Sequence, residues 1–255
     1  MIKLIGDYHT HTIYSSGYKK VGTHATGTIR SNAESALAKG LKEIVISDHG
    51  PGHYLYGVKK KNIPIMREEI DRLNKEFEPK GLKILLGVEA NIIGIDGKLD
   101  IDDEIISQID FLTMGYHYGA TPRRMIDGLC LYVLNPFTKL FKLGKNRIID
   151  LNTKAYIKAL ENYPIDMLSH PGSKAGVNIV EVARAAAKTG TALEISSKHS
   201  QLSVESIKLL LDEDVTYLVN SDAHCPEDIG NVENAINKAK EARLPLDRIK
   251  NIEVV

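Results

Sequence analysis

The sequence predicts an α/β fold, a barrel of seven parallel strands with helices between them, and three observations predict it. Short apolar runs, many of them β-branched, recur seven times along the 255 residues. They are continuously apolar rather than alternating, as strands buried on both faces are. Helical patterns lie between most of them, and seven such units in about 250 residues suit closure into a barrel.

The first run, IKLI at 2–5, opens the barrel and leads into DYHTH. EIVIS at 43–47 and KILLGVE at 83–89 supply the second and third strands, and FLTMGY at 111–116 the fourth. DMLSH at 166–170, ALEIS at 192–196 and TYLVNSD at 216–222 complete the set. The clearest helices span 177–188, where Val177, Val180, Ala183 and Ala187 share a face, and 227–242, where Ile229, Val232, Ile236 and Ala239 recur at helical spacing. One stretch departs from this rhythm. Residues 120–152 make a connection longer than a βα loop needs, mix apolar side chains with Arg123, Arg124, Lys139, Lys142, Lys145 and Arg147, and are interrupted by Pro136. We read 120–152 as a loop or lid insertion and a candidate homo-oligomer contact, with an ordinary packed excursion as the alternative. The whole chain, 1–255, reads as one domain.

Lys and Arg number 33, as do Asp and Glu, so the formal net charge is zero and no global field draws the chain to nucleic acid or acidic lipid. A phosphorylated partner would need a local site. The two cysteines, Cys130 and Cys225, are too few for a disulfide framework and form no CxxC pair, which points to a reducing cytoplasm. No stretch approaches about 18 apolar residues and the N-terminus has no apolar segment of signal length, so neither a membrane nor secretion is expected.

The C-terminal ends of the runs carry the chemistry. They hold His9 and His11 in DYHTH, His49 in ISDHG, Glu89 in GVEAN, His117 in GYHYG, His170 in LSHPG, and Asp222 and His224 in NSDAH. Only ALEIS ends without an immediate ligand type, and His199 follows it four residues after Ile195. In a parallel barrel all these ends open on one face, so eight groups spread over 215 residues should converge. A lone histidine says little, because most buried histidines are satisfied core or capping residues. Six of seven strand ends carrying such a residue is hard to obtain by accident. The strand period of two puts His9 and His11 on one face, and likewise Asp222 and His224, so each pair can bind one cation without backbone distortion. Imidazoles and carboxylates without thiolates suit Zn²⁺, with Mn²⁺ or Fe²⁺ as alternatives. About four to six protein ligands would exhaust one ion, so this set indicates two or three.

Through DYHTHT, THA, ISDHGP, GVEANI, DGKLD, GYH, SHPG, LEIS and SDAH, in this order over nearly the whole chain, the sequence resembles the PHP (polymerase and histidinol phosphatase) superfamily, most closely its stand-alone, YcdX-like bacterial phosphoesterases. The resemblance implies a distorted TIM-like (βα)7 barrel with a trinuclear metal centre at its C-terminal rim. Carried over motif by motif, it assigns His9, His11, Glu89 and Asp222 to one ion and His24, His49 and His224 to a second. Glu89 then bridges to a third ion held also by His117 and His170. His24 lies in GTHATGT, thirteen residues after His11, where relatives have a shorter step.

Such cations lower the pKa of a bridging water and offset charge on phosphoryl oxygens. The expected reaction is histidinol-phosphatase-like hydrolysis of a small phosphomonoester by a metal-bound hydroxide, with Asp222 and Glu89 as the central carboxylates. No GxSxG is present, and VGTHATGT lacks the GxxxxGK[ST] of a nucleotide-binding P-loop. His53 and His199, on loops at the same rim, are candidates to contact the phosphate or protonate the leaving oxygen. Arg30 and Lys174 are candidate substrate contacts beside His199, and Asp7 and Asp48 candidate acceptors for ligand rings. Two other enzyme readings stay open. A phosphodiesterase or 3′-5′ nuclease of the same superfamily would normally accompany a polymerase or a basic stripe. A metal-dependent amidohydrolase would want a lysine where this chain has Glu89.

Overall fold

The structure, a computed structural model, describes residues 2–18, 20, 22–137 and 144–254. Its elements run β1 Ile2–Leu4, β2 Gly6–Thr10, α1 Ile29–Ala38, β3 Glu43–His49, α2 Ile63–Phe77, β4 Lys83–Asn91, α3 Asp103–Ile106, β5 Phe111–Gly115, α4 Met125–Gly128, α5 Lys145–Asn162, β6 Met167–Leu168, α6 Ile179–Thr189, β7 Ala192–Ser196, α7 Val204–Leu209, β8 Tyr217–Asn220, α8 Glu233–Glu241 and β9 Ile252–Val254. Strands β2 to β8 form one parallel seven-stranded sheet whose spatial order is their order in sequence. That order brings every C-terminal strand end to one face of a nearly closed barrel.

The expected apolar runs are covered on both sides. Ile44, Val45, Ile46, Ile84, Leu86 and Ala90 of β3 and β4 are fully buried. Helix α2 lays Ile63, Met66, Ile70, Leu73 and Phe77 as an apolar stripe toward β4. Helix α1 begins where the Thr28 hydroxyl accepts from the Ser31 amide and Ser31 reaches back, a capping box that ends the preceding loop.

Several boundaries differ from the expectation, each for a local reason. IKLI is not a barrel strand: β1 pairs antiparallel with the C-terminal β9, and the barrel starts at Gly6–Thr10. The helix expected at 177–188 starts at Ile179, because the Asn178 side chain caps it by accepting from the Glu181 amide, and it buries Val182, Ala183 and Ala186. The helix expected at 227–242 shrinks to α8, since Pro226–Asp228 form a 3₁₀ turn and Gly230 takes φ +71°. Ile229 and Val232 reach the core from that turn instead. Residues 120–152 are not a structureless insertion. They contain α4, a π-helical turn at Leu129–Leu134 and the first part of α5, with Asn135 and Asn152 exchanging side-chain hydrogen bonds of 3.2 and 2.7 Å. Lys139 and Lys142 lie outside the described residues. No helix of the described residues is long and apolar enough to cross a membrane.

The barrel's seam, between β2 and β8, is closed by side chains. Among the described residues one bridge, Thr10 to Ala223, replaces a ladder. The Tyr8 amide donates to Asn220 Oδ1 at 2.9 Å, and Asp7 accepts from Ser221 Oγ at 2.5 Å and from the Gly230 amide at 2.8 Å. Buried Asn251 donates to the carbonyls of Gly6 (2.8 Å) and Val219 (2.7 Å) and accepts from the Val219 amide (3.0 Å). Asn251→Ala leaves these backbone groups without partners in a dry site. We expect it to lower stability by about 3 kcal/mol, read as a lower urea midpoint at unchanged slope.

Candidate metal centre

Every side chain of the centre except His24 stands at or just past a strand's C-terminal end. His9 is in β2 and His11 follows it; His49 ends β3; Glu89 sits in β4; His117, His170 and Asp222 each lie two residues beyond β5, β6 and β8. His9, His11 and Glu89 are fully buried, and His49, His117, His170 and Asp222 nearly so. Glu89 is at the middle. Its Oε2 lies 2.9 Å from His49 Nδ1, 3.4 Å from His9 Nε2 and 3.8 Å from His11 Nε2. Its Oε1 faces the other side, 3.2 Å from His170 Nε2 and 3.4 Å from His117 Nε2. Asp222 Oδ1 lies 3.3 Å from His11 Nε2, 3.5 Å from His224 Nδ1 and 3.7 Å from His9 Nε2. Its Oδ2 meets His199 Nε2 at 3.0 Å.

His24 is brought in as well. Its Nε2 lies 3.0 Å from His49 Nε2 and 3.1 Å from His224 Nε2, with its ring stacked on Tyr56 at 3.8 Å. The long step after His11 does not carry it away, because that segment docks on the loop after β3: Gly17 N donates to Gly57 O and Tyr18 N to Tyr54 O.

The electrostatics leave lone pairs free to bind cations. Burial, then repulsion from neighbouring imidazoles, pushes His24 down to about 3, and burial pushes His53 and His224 down to about 4. Burial also holds His11 and His117 well below the ordinary 6.5. Glu89 and Asp222 stay ionised despite burial because imidazoles surround them. Burial opposes charge on His9 too, but Glu194, Glu89 and Asp222 outweigh it and hold His9 well above 6.5. His9 Nε2, both nitrogens of His11, His49 Nδ1 and Glu89 Oε2 are buried without a hydrogen-bond partner. Orphaned buried polar atoms are rare in native proteins, and neutral imidazoles beside ionised carboxylates are the protonation states a divalent ion needs, with His9 the one ring here that must give up a proton to bind. Three groups have ligand atoms mutually within 4.8 Å: His11, His49 and His224; His9, His11 and Glu89; His49, Glu89 and His117. The residues therefore fit divalent cations, and Glu89 belongs to two of the groups.

The groups that aim the rings were partly missed in the sequence. Neither Asp7 nor Asp48 touches a ring. Asp7 closes the seam, and Asp48 accepts from Thr12 N (2.7 Å), Thr12 Oγ1 (2.6 Å) and Ser15 Oγ (2.6 Å), pinning the segment after His11. His9 Nδ1 is instead paired with Glu194 Oε1 at 2.7 Å, and His117 Nδ1 with Asn91 Oδ1 at 2.9 Å. Ser169 Oγ donates to Glu89 Oε1 at 2.6 Å. The signal was available: a glutamate inside the apolar run ALEIS is a buried charge that must be paired.

A cavity of about 210 Å³ opens above the centre, walled by His53, Tyr118, Lys174, Lys198 and His199 as well as the ligand-type residues. Lys198, also unforeseen, places Nζ 2.7 Å from His224 Nδ1 and 4.0 Å from Asp222 Oδ1. Arg30 is not brought to this cavity; Glu76 holds its guanidinium at 2.7 Å on the outer surface. Three side chains here have positive φ without being glycine, His170 at +29°, Asp222 at +54° and Lys174 at +63°, a strain that persists where surrounding structure imposes it.

A parallel barrel with a buried histidine–carboxylate cluster under a cationic cavity defines a hydrolase of phosphate esters, and the comparisons with known proteins agree. The chain belongs to the PHP domain family, whose model matches residues 7–198. A probable phosphatase of Thermoanaerobacter sp. strain X514 is 32% identical over 99% of this chain and 92% of its own. One of Caldanaerobacter subterraneus subsp. tengcongensis is 29% identical over 99% and 89%. Among solved structures, a histidinol phosphate phosphatase from Lactococcus lactis, crystallised with zinc, L-histidinol and phosphate, superposes with a TM-score of 0.60 at 18% identity, over 93% of each chain.

In metal-stripped protein, His24, His53 and His224 have folded pKa values below the unfolded 6.5, so the unfolded chain binds more protons between the two. Stability held above pH 6.5 should fall as the pH drops toward 4; His11 and His117 add to the effect, Asp100, which burial pushes up to about 6, opposes it, and His9, raised above 6.5, acts only at higher pH. Melting curves across this range, with and without chelator, check it. Glu194→Gln, which removes the partner of His9 Nδ1, should weaken zinc binding about 10- to 100-fold in a competition titration with a chromophoric chelator.

Proposed function

We propose that this phosphatase is a metal-dependent phosphomonoesterase with a trinuclear centre, acting on a small phosphorylated substrate in the cytoplasm. The observation that carries the reading is the division of Glu89: one oxygen faces His9, His11 and His49, the other His117 and His170. His9, His11, Glu89 and Asp222 would hold one ion, His24, His49 and His224 a second, and Glu89, His117 and His170 a third. Zn²⁺ suits these borderline donors best, with Mn²⁺ or Fe²⁺ as alternatives. Bound there, the ions supply hydroxide near neutral pH and offset charge on the phosphoryl oxygens.

The other residues divide the remaining work. Lys198 and Lys174 put positive charge at the cavity wall to hold the phosphate. Burial keeps His53 neutral, its Nδ1 accepts from the Tyr56 amide at 3.1 Å and its N–H faces the Tyr118 backbone, so it stands at the cavity wall as a substrate contact that would exchange the Tyr118 carbonyl for a phosphoryl oxygen. His199, held by Asp222 Oδ2 yet partly open to solvent, is placed to protonate the leaving oxygen. The cavity suits a small ester. The bound ligands of the Lactococcus barrel support the same class of substrate.

Protein purified without chelator should carry at least about two equivalents of metal and hydrolyse p-nitrophenyl phosphate with Zn²⁺ or Mn²⁺. Chelation should abolish the activity, and His9→Ala or Asp222→Ala should each lower kcat/KM by about a thousandfold. Faster turnover of bis(p-nitrophenyl) phosphate than of the monoester would make the chain a diesterase instead.

A further inference from the structure

A second cavity, of about 230 Å³, adjoins the centre. Lys174 lines both, and Gly172 in its wall is two residues from His170. Ile148 and Ile149 give it an apolar side, and Lys145, Lys174 and Gln201 its polar side. No carboxylate lines it among the described residues. Lys145 is the first residue of α5, so the amide dipoles of that helix add to the same positive sign. The Gln201 side-chain oxygen is buried and has no hydrogen-bond partner.

We propose that this cavity is the subsite for the alcohol part of the ester, and that it takes a compact apolar alcohol bearing a second anionic group. The inference rests on the phosphomonoesterase reading above. A phosphate held over the centre by Lys198 and Lys174 leaves the alcohol to extend past Lys174, the residue the two cavities share. There the isoleucines cover its carbon skeleton and Lys145 meets the anion, with Gln201 completing the polar wall. An amino alcohol such as histidinol would bring a cation against two ammonium groups with no carboxylate to offset it. The charge of this subsite therefore selects against it.

Three aryl phosphates of similar leaving-group acidity test this on the full metal-loaded chain: 4-(carboxymethyl)phenyl, 4-ethylphenyl and 4-(2-aminoethyl)phenyl phosphate. We expect kcat/KM to fall in that order, by about fivefold per step for ion pairing at a half-open site. Lys145→Glu should reverse the ranking of the anionic and cationic esters, and Lys145→Arg should keep it. Lys145 is exposed, so both variants should fold, which circular dichroism checks. Equal turnover of all three esters, or an anionic preference surviving in Lys145→Glu, would overturn the subsite while leaving the phosphomonoesterase reading intact. Hydrolysis of none of them by metal-loaded protein would sink that reading and the subsite with it.

Discussion

Glu89 carries an ionised carboxylate into a space with no solvent exposure, and five imidazoles from four strand ends face its two oxygens. An isolated buried carboxylate costs many kcal/mol and would ordinarily take up a proton. Here it stays charged because positive or polarisable partners enclose it, while burial keeps His11 and His117 neutral beside it and the surrounding carboxylates favour charge on His9. Neither side of this arrangement is comfortable without cations. The centre is a polar core whose stability and chemistry depend on the same ligand set.

The rest of the barrel's polar architecture serves to hold that set in place. Glu194 pairs with His9 through one oxygen and accepts from the His170 backbone amide through the other at 2.8 Å, so one buried carboxylate fixes a ring on β2 and a strained turn after β6. Asp48 fastens the segment after His11, and Ser169 steadies Glu89. At the seam, Asp7, Asn220 and Asn251 join the first and last barrel strands, and these strands carry His9 and Asp222. Polar residues thus close the barrel where backbone pairing is thinnest, and that closure brings the two ends of the ligand set together.

Charge is graded outward from the centre. Glu89 and Asp222 are buried yet line the first cavity with Lys174 and Lys198, Glu194 is buried behind them, and Lys145 and Lys174 line the second cavity, where no carboxylate does among the described residues. A chain with zero net charge thus keeps three lysines in its cavity walls, local cations for an anionic substrate with no global field toward nucleic acid.

Much of this was legible in the chain. Continuous apolar runs marked the barrel, because a strand covered on both faces has no polar face to alternate with, and ligand-type residues at six of the seven run ends marked the rim. The first run misled, since IKLI is apolar for a different reason: it pairs with β9 outside the barrel. Asp48 looks like a ring acceptor beside His49, yet neighbours in sequence point to opposite faces of a strand, and Asp7, two residues before His9, is taken up by Ser221 and Gly230 at the seam. Glu194 does the work from 185 positions away. The sequence by itself determined the fold class, the face on which the site forms and the residue types that form it, because period and composition are local properties. Which oxygen of Glu89 faces which ring, that His24 returns across a long loop, that Arg30 turns outward and that Lys198 turns inward were decided only by the tertiary structure, because they depend on distances between strands far apart in the chain.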